Sequence, residues 1–575
     1  MNILGLNSYH ADSSASVFKN NQLVVAIEEE RLSRIKHHSG FPIRSIEYCL
    51  SVAKLKPQDI DLVCVNFNKN YNLDKKFLYL LKNFYKSKSL FQSYIKSGKA
   101  NFKKDIYSFF QKKIKIHYSP HHLTHVYSAI VNCGFNNGLC ISFDGSGDFS
   151  TMEIYEFTNL NLKLVCKTNF PHSLGIFYQA ITQYLGFHDY GDEYKVMGMA
   201  AYGKPIYENQ LKKIINWKNG IFNLNLNYFQ INELTLAKQA TKNNKFFKLY
   251  NNYLDHLLGG QRFPGEAINQ RHYNIAASLQ KIFENVLIEI CSYWNKKNYT
   301  NLCITGGCAF NTLANGKLLS SLKLEKIYVP SNPGDGGGSL GSVYDYLINK
   351  KKYSKIIIKK NPYLGKKYTK YEVLSAIQKY EDSNKMKLKF RFFNKFDNLT
   401  AFTAKKLSQN KIVAWFQDEA EFGPRALGNR SLVANPGYKG IKNFMNSIIK
   451  QRERFRPFAP SVLSKYQSDY FIVNKNFKSP FMNLVVKVKS SKRKKILGVL
   501  NVDKTSRVHT VEKKTNIKYY KLIKSFFKQT NLPMLLNTSL NIQEPICESP
   551  EDVLKSFVNS NVSIIVINNV VIFNN

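Results

Sequence analysis

At 575 residues the chain is too long for one hydrophobic core, so at least two domains are expected. Its 44% hydrophobic and 21% charged residues exclude a disordered polymer. The formal charge of +43 admits nucleic acid, an anionic membrane surface or anionic small substrates as partners. The lysines are spread along the chain beside abundant Asn, Ile and Tyr, however, and no nucleic-acid motif accompanies them, so nucleic acid is not an expected partner. Nine cysteines form no CxxC pair and sit mostly in apolar runs such as LVCV and LCIS, which reads as reduced core thiols in a cytoplasmic protein. The N-terminus MNILGLNSYH lacks a basic stretch and a cleavable apolar one, and the longest apolar run, Val562–Phe573, is broken by Asn568 and Asn569. No membrane partner is expected.

In chain order, Asn2–Leu6 reads as a buried strand followed by a turn of small polar residues, NSYHADSSAS. Ser16–Phe18 and Gln22–Glu28 read as a hairpin around Lys19–Asn21. Arg31, Arg34 and Lys36 bunch before Phe41-Pro42, and Ile43–Leu55 looks helical. Asn70–Lys113 is a Lys-, Tyr- and Phe-rich helical region whose Phe77, Leu80, Leu81 and Phe84 have the spacing of a core stripe. A strand at Ile114–His117 leads to a helix capped by Ser119, with Pro120 in its first turn. Gly138–Phe143 is a strand ending in DGSGD, with Glu153–Thr158 returning from it. Strand, Gly/Ser turn and strand thus recur about 140 residues after the N-terminus, which predicts a duplicated α/β domain with two phosphate-facing turns. Pro205–Pro264 is poorly patterned, Asn274–Trp294 is an amphipathic helix, and two strands run into GGCAFNT and PSNPGDGGGSLGS, where anions can sit on helix N-termini. The boundary falls in NKKKYSKIIIKKN, giving domains at 1–352 and 362–575 with a linker at 353–361.

Two constellations carry chemistry. His121 and His125 are spaced i,i+4 on a helix, so both imidazoles face one side and can share a metal. Asp144 ends the next strand and Asp335 lies in a glycine turn, which completes a mixed N/O set compatible with Fe(II), Mn, Co or Zn. The plainer alternatives are a hydrated-Mg²⁺ turn for Asp144 and an N-cap for Asp335. The second constellation is Glu421–Leu463, which packs Arg425, Arg430, Lys450, Arg452, Arg454 and Arg456 among Gly, Pro and Phe. If Lys450–Arg456 is extended, its four cations share one face and suit phosphate or carboxylate oxygens. The competing reading is a solvated basic face, which would not need Phe455, Pro457, Phe458 and Pro460. NTSLN (Asn537, Thr538, Ser539, Asn541) offers amides and hydroxyls to ligand oxygens, unless it is a polar hairpin loop, and Arg507 adds a cation on a predicted strand. GxGxxG and Walker A are both absent.

MNILGLNSYHADSSAS, EEERLSRIKH, HHLTHVYSA, SFDGSGDFST, SLGIFYQAITQYLGF, EYKVMGMAAYG, TGGCAFNTLANGKL, NPGDGGGSLGS, EFGPRALGNRSL, RERFRPFAP and LLNTSLN together resemble the NodU/CmcH-type O-carbamoyltransferases, collinearly over essentially the whole chain. The resemblance implies an N-terminal Kae1-like duplicated domain of the actin/Hsp70 superfamily and a C-terminal YrdC-like α/β domain. It implies that the C-terminal domain converts carbamoyl phosphate and ATP to carbamoyl-adenylate, and that the N-terminal domain passes the carbamoyl group to a hydroxyl of a sugar, glycan or secondary metabolite. The metal ligands fall on His121, His125, Asp144 and Asp335, with Fe(II) first and Zn or Mn as alternatives; Mg-ATP is the co-substrate. Catalytic cations fall on Arg425, Lys450 and Arg456, and His10 beside Asp12 is the candidate general base, with a turn-stabilising histidine as the alternative. Lys36, Lys195, Gly306, Gly307, Asn311, Arg430, Arg452, Arg454, Arg507 and the NTSLN residues are expected to contact substrate or nucleotide. A homodimer is compatible with the resemblance. Acceptor contacts would lie in the variable segments Asn70–Lys113 and Pro205–Pro264. Tyr194, Asp418 and Gln543 depart from the family's pattern. A tRNA threonylcarbamoyl-adenosine-type enzyme and a non-catalytic nucleotide-binding scaffold are the competing functions.

Overall fold

A computed structural model describes residues 1–82, 99, 101–231, 248–352, 361–474 and 476–574. The chain forms two compact units, Met1–Ser33 with His37–Lys360 and Arg34–Lys36 with Asn361–Asn575, and both are mixed α/β.

The first unit holds two five-stranded sheets of one topology. In the first, β1 (Asn2–Asn7) pairs antiparallel with β2 (Ser14–Lys19), and β2 with β3 (Gln22–Glu28). On its other side β1 runs parallel to β4 (Leu62–Val65) and β4 to β5 (Lys115–Tyr118). The order is β3-β2-β1-β4-β5. In the second sheet β6 (Asn137–Gly147), β7 (Ser150–Thr158) and β8 (Asn161–Asn169) form the antiparallel run. A separate hairpin, β9 (Ile215–Lys218) and β10 (Ile221–Leu224), intervenes in sequence. β11 (Asn301–Thr305) and β12 (Lys326–Tyr328) then add in parallel beside β6, giving β12-β11-β6-β7-β8, the same pattern read in reverse. The strand–turn–strand recurrence in the sequence is therefore a repeated sheet.

The central parallel strands are apolar and buried on both faces, as helices above and below require. Ile46, Cys49, Leu50 and Ala53 of helix α1 (Ile43–Ala53) recur at helical spacing and join Leu4, Leu6, Val63 and Val65 in one core. Helix α2 (His121–Cys133) follows β5. Helix α3 (Gln270–Trp294) is capped by the Asn269 side chain, and helix α4 (Gly338–Asp345) is built from small residues. A Cβ at Gly5 would lie 2.0 Å from the Ser339 carbonyl, and one at Gly341 would lie 1.8 Å from that of Thr124. Thus α4 presses its backbone onto β1 and onto α2, and only glycine allows both approaches. This packing sets the depth of the α2 histidines.

Two local expectations change. Pro120, not Ser119, precedes the first turn of α2, and the Ser119 hydroxyl instead donates to the Ser342 carbonyl at 3.4 Å. Phe77 and Leu81 are exposed on the helix Leu73–Lys82 and make no core stripe, while Phe84 lies outside the described residues. Much of Pro205–Pro264 is ordered as the β9–β10 hairpin and the short helix Tyr253–Leu258, with 232–247 outside the described residues.

The second unit carries one nine-stranded mixed sheet. Its strands are β13 (Phe390–Phe392), β14 (Val413–Phe416), β15 (Arg430–Ala434), β16 (Ala459–Leu463), β17 (Leu484–Lys487), β18 (Thr505–Val511), β19 (Met534–Ser539), β20 (Ile564–Ile567) and β21 (Val570–Phe573). They lie in the order β13-β21-β20-β14-β15-β19-β16-β18-β17. The long C-terminal apolar run is the β20–β21 hairpin turning at Asn568, which adopts φ 50°. Helices α5 (Phe396–Ser408) and α6 (Ile517–Thr530) cover one face, where Leu399, Leu407, Leu522 and Phe526 meet Val413, Trp415, Val433 and Leu535. Along that face polar groups replace apolar ones at Ser461 and Asn537.

There the Ser461 hydroxyl and His509 Nδ1 are 2.8 Å apart, and burial pushes the His509 imidazole down to about 3. The unfolded chain therefore takes up this proton first, near pH 6.5. The stabilisation is complete above that pH and is lost as pH falls towards 3, at about 1.4 kcal/mol per pH unit. His509→Asn should flatten the stability–pH slope of this unit in urea titrations across that window. Parallel slopes for variant and parent would contradict the assignment.

Candidate functional site

In the first unit, α2 places His121 and His125 one turn apart with their Nε2 atoms 3.1 Å from each other. Asp144 Oδ2 is 3.7 Å from His121 Nε2 and 3.2 Å from His125 Nε2, and Asp335 Oδ1 is 3.4 Å from each. Both imidazoles are buried, and the two carboxylates retain slight exposure. A tetrahedral ion with ligands at about 2.0–2.1 Å has donor–donor edges of about 3.3–3.4 Å, close to this spacing. Two imidazole nitrogens this close need a proton or a metal cation between them, and two buried carboxylates demand positive charge. Burial alone would raise Asp144, but His121 and His125 outweigh it and hold the carboxyl well below its usual range. Burial likewise opposes protonation of His121, yet Asp335 and Asp144 carry it up to about 10. The residues present fit one divalent ion with an open side at the carboxylates.

Backbone groups orient this set. Asp144 Oδ1 accepts the Gly145 N–H at 2.6 Å and Oδ2 that of Gly307 at 3.2 Å, while Asp148 accepts the His121 N–H at 2.9 Å. A Cβ at Gly147 would lie 2.0 Å from His121 Cδ2. Gly147→Ala must therefore push the His121 ring out of place. Metal retained after gel filtration should fall at least about tenfold, the scale seen when supporting contacts of a metal ligand are lost. Unchanged stoichiometry by elemental analysis would refute that packing.

In the second unit, Lys450 is buried and its Nζ donates to the Ser539 and Asn541 carbonyls and to Asn541 Oδ1, each at 2.7 Å. Burial and then Arg452 and Arg456 hold its ammonium well below the ordinary lysine range, even with these three acceptors around it. Arg507 stands on the same face of β18 as His509, two residues away. Burial, then Arg425, Arg452 and Arg456, press its guanidinium towards the neutral form, and its buried Nε meets no acceptor among the described residues. Arg452 is aimed by Asn446, whose Oδ1 accepts its Nε at 2.8 Å, and lies over the Phe458 ring. Mutual repulsion among Arg425, Lys450, Arg452, Arg456 and Arg507 is relieved by a bound polyanion.

Comparison with known proteins bears on both sites. Family models described as Carbamoyltransferase N-terminus and Carbamoyltransferase C-terminus match residues 2–344 and 404–574. The chain belongs to the carbamoyltransferase family. An uncharacterized protein of Synechocystis sp. is 32% identical over 99% of this chain and 96% of its own length. Nodulation protein NolNO of Sinorhizobium fredii is 30% identical over 98% of this chain and 78% of its own length. An uncharacterized protein of Methanocaldococcus jannaschii is 31% identical over 99% of both.

Several residues of this carbamoyltransferase stand elsewhere than the sequence pattern implied. The segment after Lys450 is not extended: Gln451 adopts φ 46° and the chain turns back with Arg456 N–H on the Glu453 carbonyl, leaving Arg454 exposed. Arg430 is turned away from the cluster. Its guanidinium donates to the Gln417, Asp418, Asn429 and Glu548 carbonyls and lies 3.5 Å from the Phe416 ring centroid. Asp12 pairs with His37 Nδ1 at 2.8 Å, not with His10, which lies 3.6 Å from Asp335 and packs on the His121 ring. Lys195 is paired with Asp192 at 2.7 Å, and Asn311 caps the helix Thr312–Ser321 and exchanges hydrogen bonds with the Gln280 amide. Gly306, with φ 87°, backs onto the Phe143 carbonyl, Lys36 is exposed, Thr538 lies opposite Leu432 in the sheet, and Asn537 donates to Ser461 and the Ala426 carbonyl.

None of the departures from the family pattern belongs to the His₂Asp₂ set. Asp418 joins Lys518 and Lys367 at 2.9 and 3.1 Å, Tyr194 faces solvent, and Gln543 donates to the Gln451 carbonyl. A residue that motif reading passed over is Glu421. Its Oε1 accepts three backbone N–H groups of the Arg425 loop. Only its place at the head of EFGPRALGNR, among glycine and proline, could have marked it.

Proposed function

We propose that the protein is an ATP-dependent O-carbamoyltransferase with a Kae1-like first unit and a YrdC-like second unit, working in two stages. In the second unit water cleaves carbamoyl phosphate to carbamate and phosphate, and the carbamate attacks the ATP α-phosphorus, giving carbamoyl-adenylate and pyrophosphate. Joining two anions needs strong charge screening, and Arg425, Lys450, Arg456 and Arg507 are the groups to supply it. Ser539 and Asn541 hold Lys450 in place. In the first unit an acceptor hydroxyl attacks the carbamoyl carbon and AMP leaves.

His121, His125, Asp144 and Asp335 would hold a divalent ion, Fe(II) or else Zn or Mn, whose chemistry there is Lewis-acid stabilisation of phosphate charge. His10, 3.6 Å from Asp335, is the candidate to take the acceptor's proton; burial and then Lys99 push its imidazole well below its ordinary range, which weakens it as a base until negative charge gathers beside it. The acceptor's remaining atoms would occupy a cavity of about 660 Å³ beside β8 and β10, where Tyr79, Phe170, Phe222 and Asn223 offer aromatic faces and an amide suited to a sugar ring. Its walls draw on both variable segments, and the Tyr79 and Phe170 rings pack on Phe149, next to Asp148, which anchors His121.

The observation that carries this reading is the separation of chemistries: a cation cluster in one unit and a His₂Asp₂ set in the other. The purified protein should release pyrophosphate from ATP only when carbamoyl phosphate is supplied, with AMP following when an acceptor is present. Equal ATP turnover without carbamoyl phosphate would defeat the proposal.

A further inference from the structure

Arg425 lies on a loop that has no secondary structure of its own, between Glu421 and β15, yet its guanidinium must be aimed. Glu421 is buried, at 3% exposure. Its Oε1 accepts the N–H groups of Leu427 at 2.7 Å, Asn429 at 2.9 Å and Arg430 at 3.2 Å. The chain therefore leaves Glu421, passes through Arg425 and is drawn back onto the same carboxylate oxygen. Three converging peptide dipoles make a site for negative charge, and here the charge belongs to the protein. Glu421 Oε2 is buried without a hydrogen-bond partner among the described residues, so the carboxylate's charge is offset chiefly through Oε1. Other contacts close the arch. The Tyr363 hydroxyl donates to the Leu427 carbonyl at 2.9 Å, and Asn516 Nδ2 donates to Tyr363 Oη and to Asn429 Oδ1 at 3.0 and 2.9 Å. Asn537 Nδ2 donates to the Ala426 carbonyl at 2.9 Å, beside Arg425 itself.

We infer that Glu421 is a positioning residue for carbamoyl-phosphate use: as the hub of the Arg425 loop it holds the guanidinium in the field of Arg507, without touching substrate. The inference rests on the two-stage reading above. Removing the carboxylate leaves three buried N–H groups without an acceptor, and the loop must open to hydrate them.

The experiment uses the full chain with carbamoyl phosphate and ATP, reading pyrophosphate. Glu421→Ala should raise the KM for carbamoyl phosphate about 30-fold, the factor expected when charge-assisted buried hydrogen bonds are lost, with the KM for ATP changing less. Glu421→Gln keeps one acceptor oxygen and should bring that KM back to within about fivefold of the parent. Tyr363→Phe, which loosens the same arch from outside and preserves the fold, should shift that KM in the same direction by a smaller factor. Metal content should stay at the parental value in all three. A folded Glu421→Ala protein with the parental KM, or a Glu421→Gln protein as impaired as Glu421→Ala, would overturn the inference. If the parent itself ignores carbamoyl phosphate, the two-stage reading is at fault, not the role of Glu421 within the loop.

Discussion

Arg425→Ala should abolish carbamoyl-phosphate-dependent release of pyrophosphate, lowering the rate about 10²–10³-fold, the effect of deleting one preorganised charge-stabilising donor. The reason lies in how few ways the cluster has to compensate. Lys450 is committed to Ser539 and Asn541, and Arg452 is held by Asn446 over Phe458. Neither can swing into the space that Arg425 leaves. Arg425→Lys should recover little, since a point charge does not reproduce a planar fork against phosphate or carboxylate oxygens. The variant should keep its metal and should still transfer the carbamoyl group from chemically prepared carbamoyl-adenylate. Loss of that transfer as well would mean that Arg425 serves both stages.

His121→Ala should give the opposite phenotype: adenylate formation near the parental rate, and loss of both bound metal and carbamoyl transfer. His121 supplies one donor directly and keeps Asp144 ionised together with His125. Without it, Asp144 and Asp335 face each other across a buried site with one imidazole between them, and one carboxylate must take up a proton to relieve the repulsion. Metal affinity should fall at least about a hundredfold as both a ligand and the site's preorganisation disappear. Metal analysis, adenylate formation and transfer can be measured on one preparation. If His121→Ala and Arg425→Ala lose the same step, the proposed division between the units is wrong.

The gathering of His121, His125, Asp144 and Asp335 was readable in part because the two histidines are local, whereas joining Asp144 and Asp335 to them leaned on the family resemblance. His121 and His125 are one helical turn apart, and the DGSGD and PGDGGG turns announce where strand ends would put Asp144 and Asp335. The repeated strand pattern was readable because it too is local, and it foretold the matching sheet orders. What failed depends on turns and distant partners. An extended Lys450–Arg456 was a period-two inference, and it breaks at Gln451, whose left-handed backbone no pattern signals. Arg430 resembles its neighbours in sequence, but β15 carries it inward to carbonyls of Gln417 and Glu548, the latter 118 residues away. Asp12 lies next to the His10 turn in sequence and is claimed by His37 in space. Glu421 reads as an ordinary acid, and its importance comes entirely from three N–H groups that a loop returns to it.

The two sheets of the first unit share an order of strands but not a set of duties. The turn after β1 contributes His10, whereas the irregular end of β6 contributes the anionic Asp144, and the parallel strands that follow lead to different ends. Symmetry of the backbone has been kept while symmetry of the side chains has been given up. Such asymmetry means that the twin of a functional position is a natural control. Grafting an aspartate into the β1 turn, or a histidine into the end of β6, would ask whether the two halves are still interchangeable as scaffolds or whether each has become a specialist.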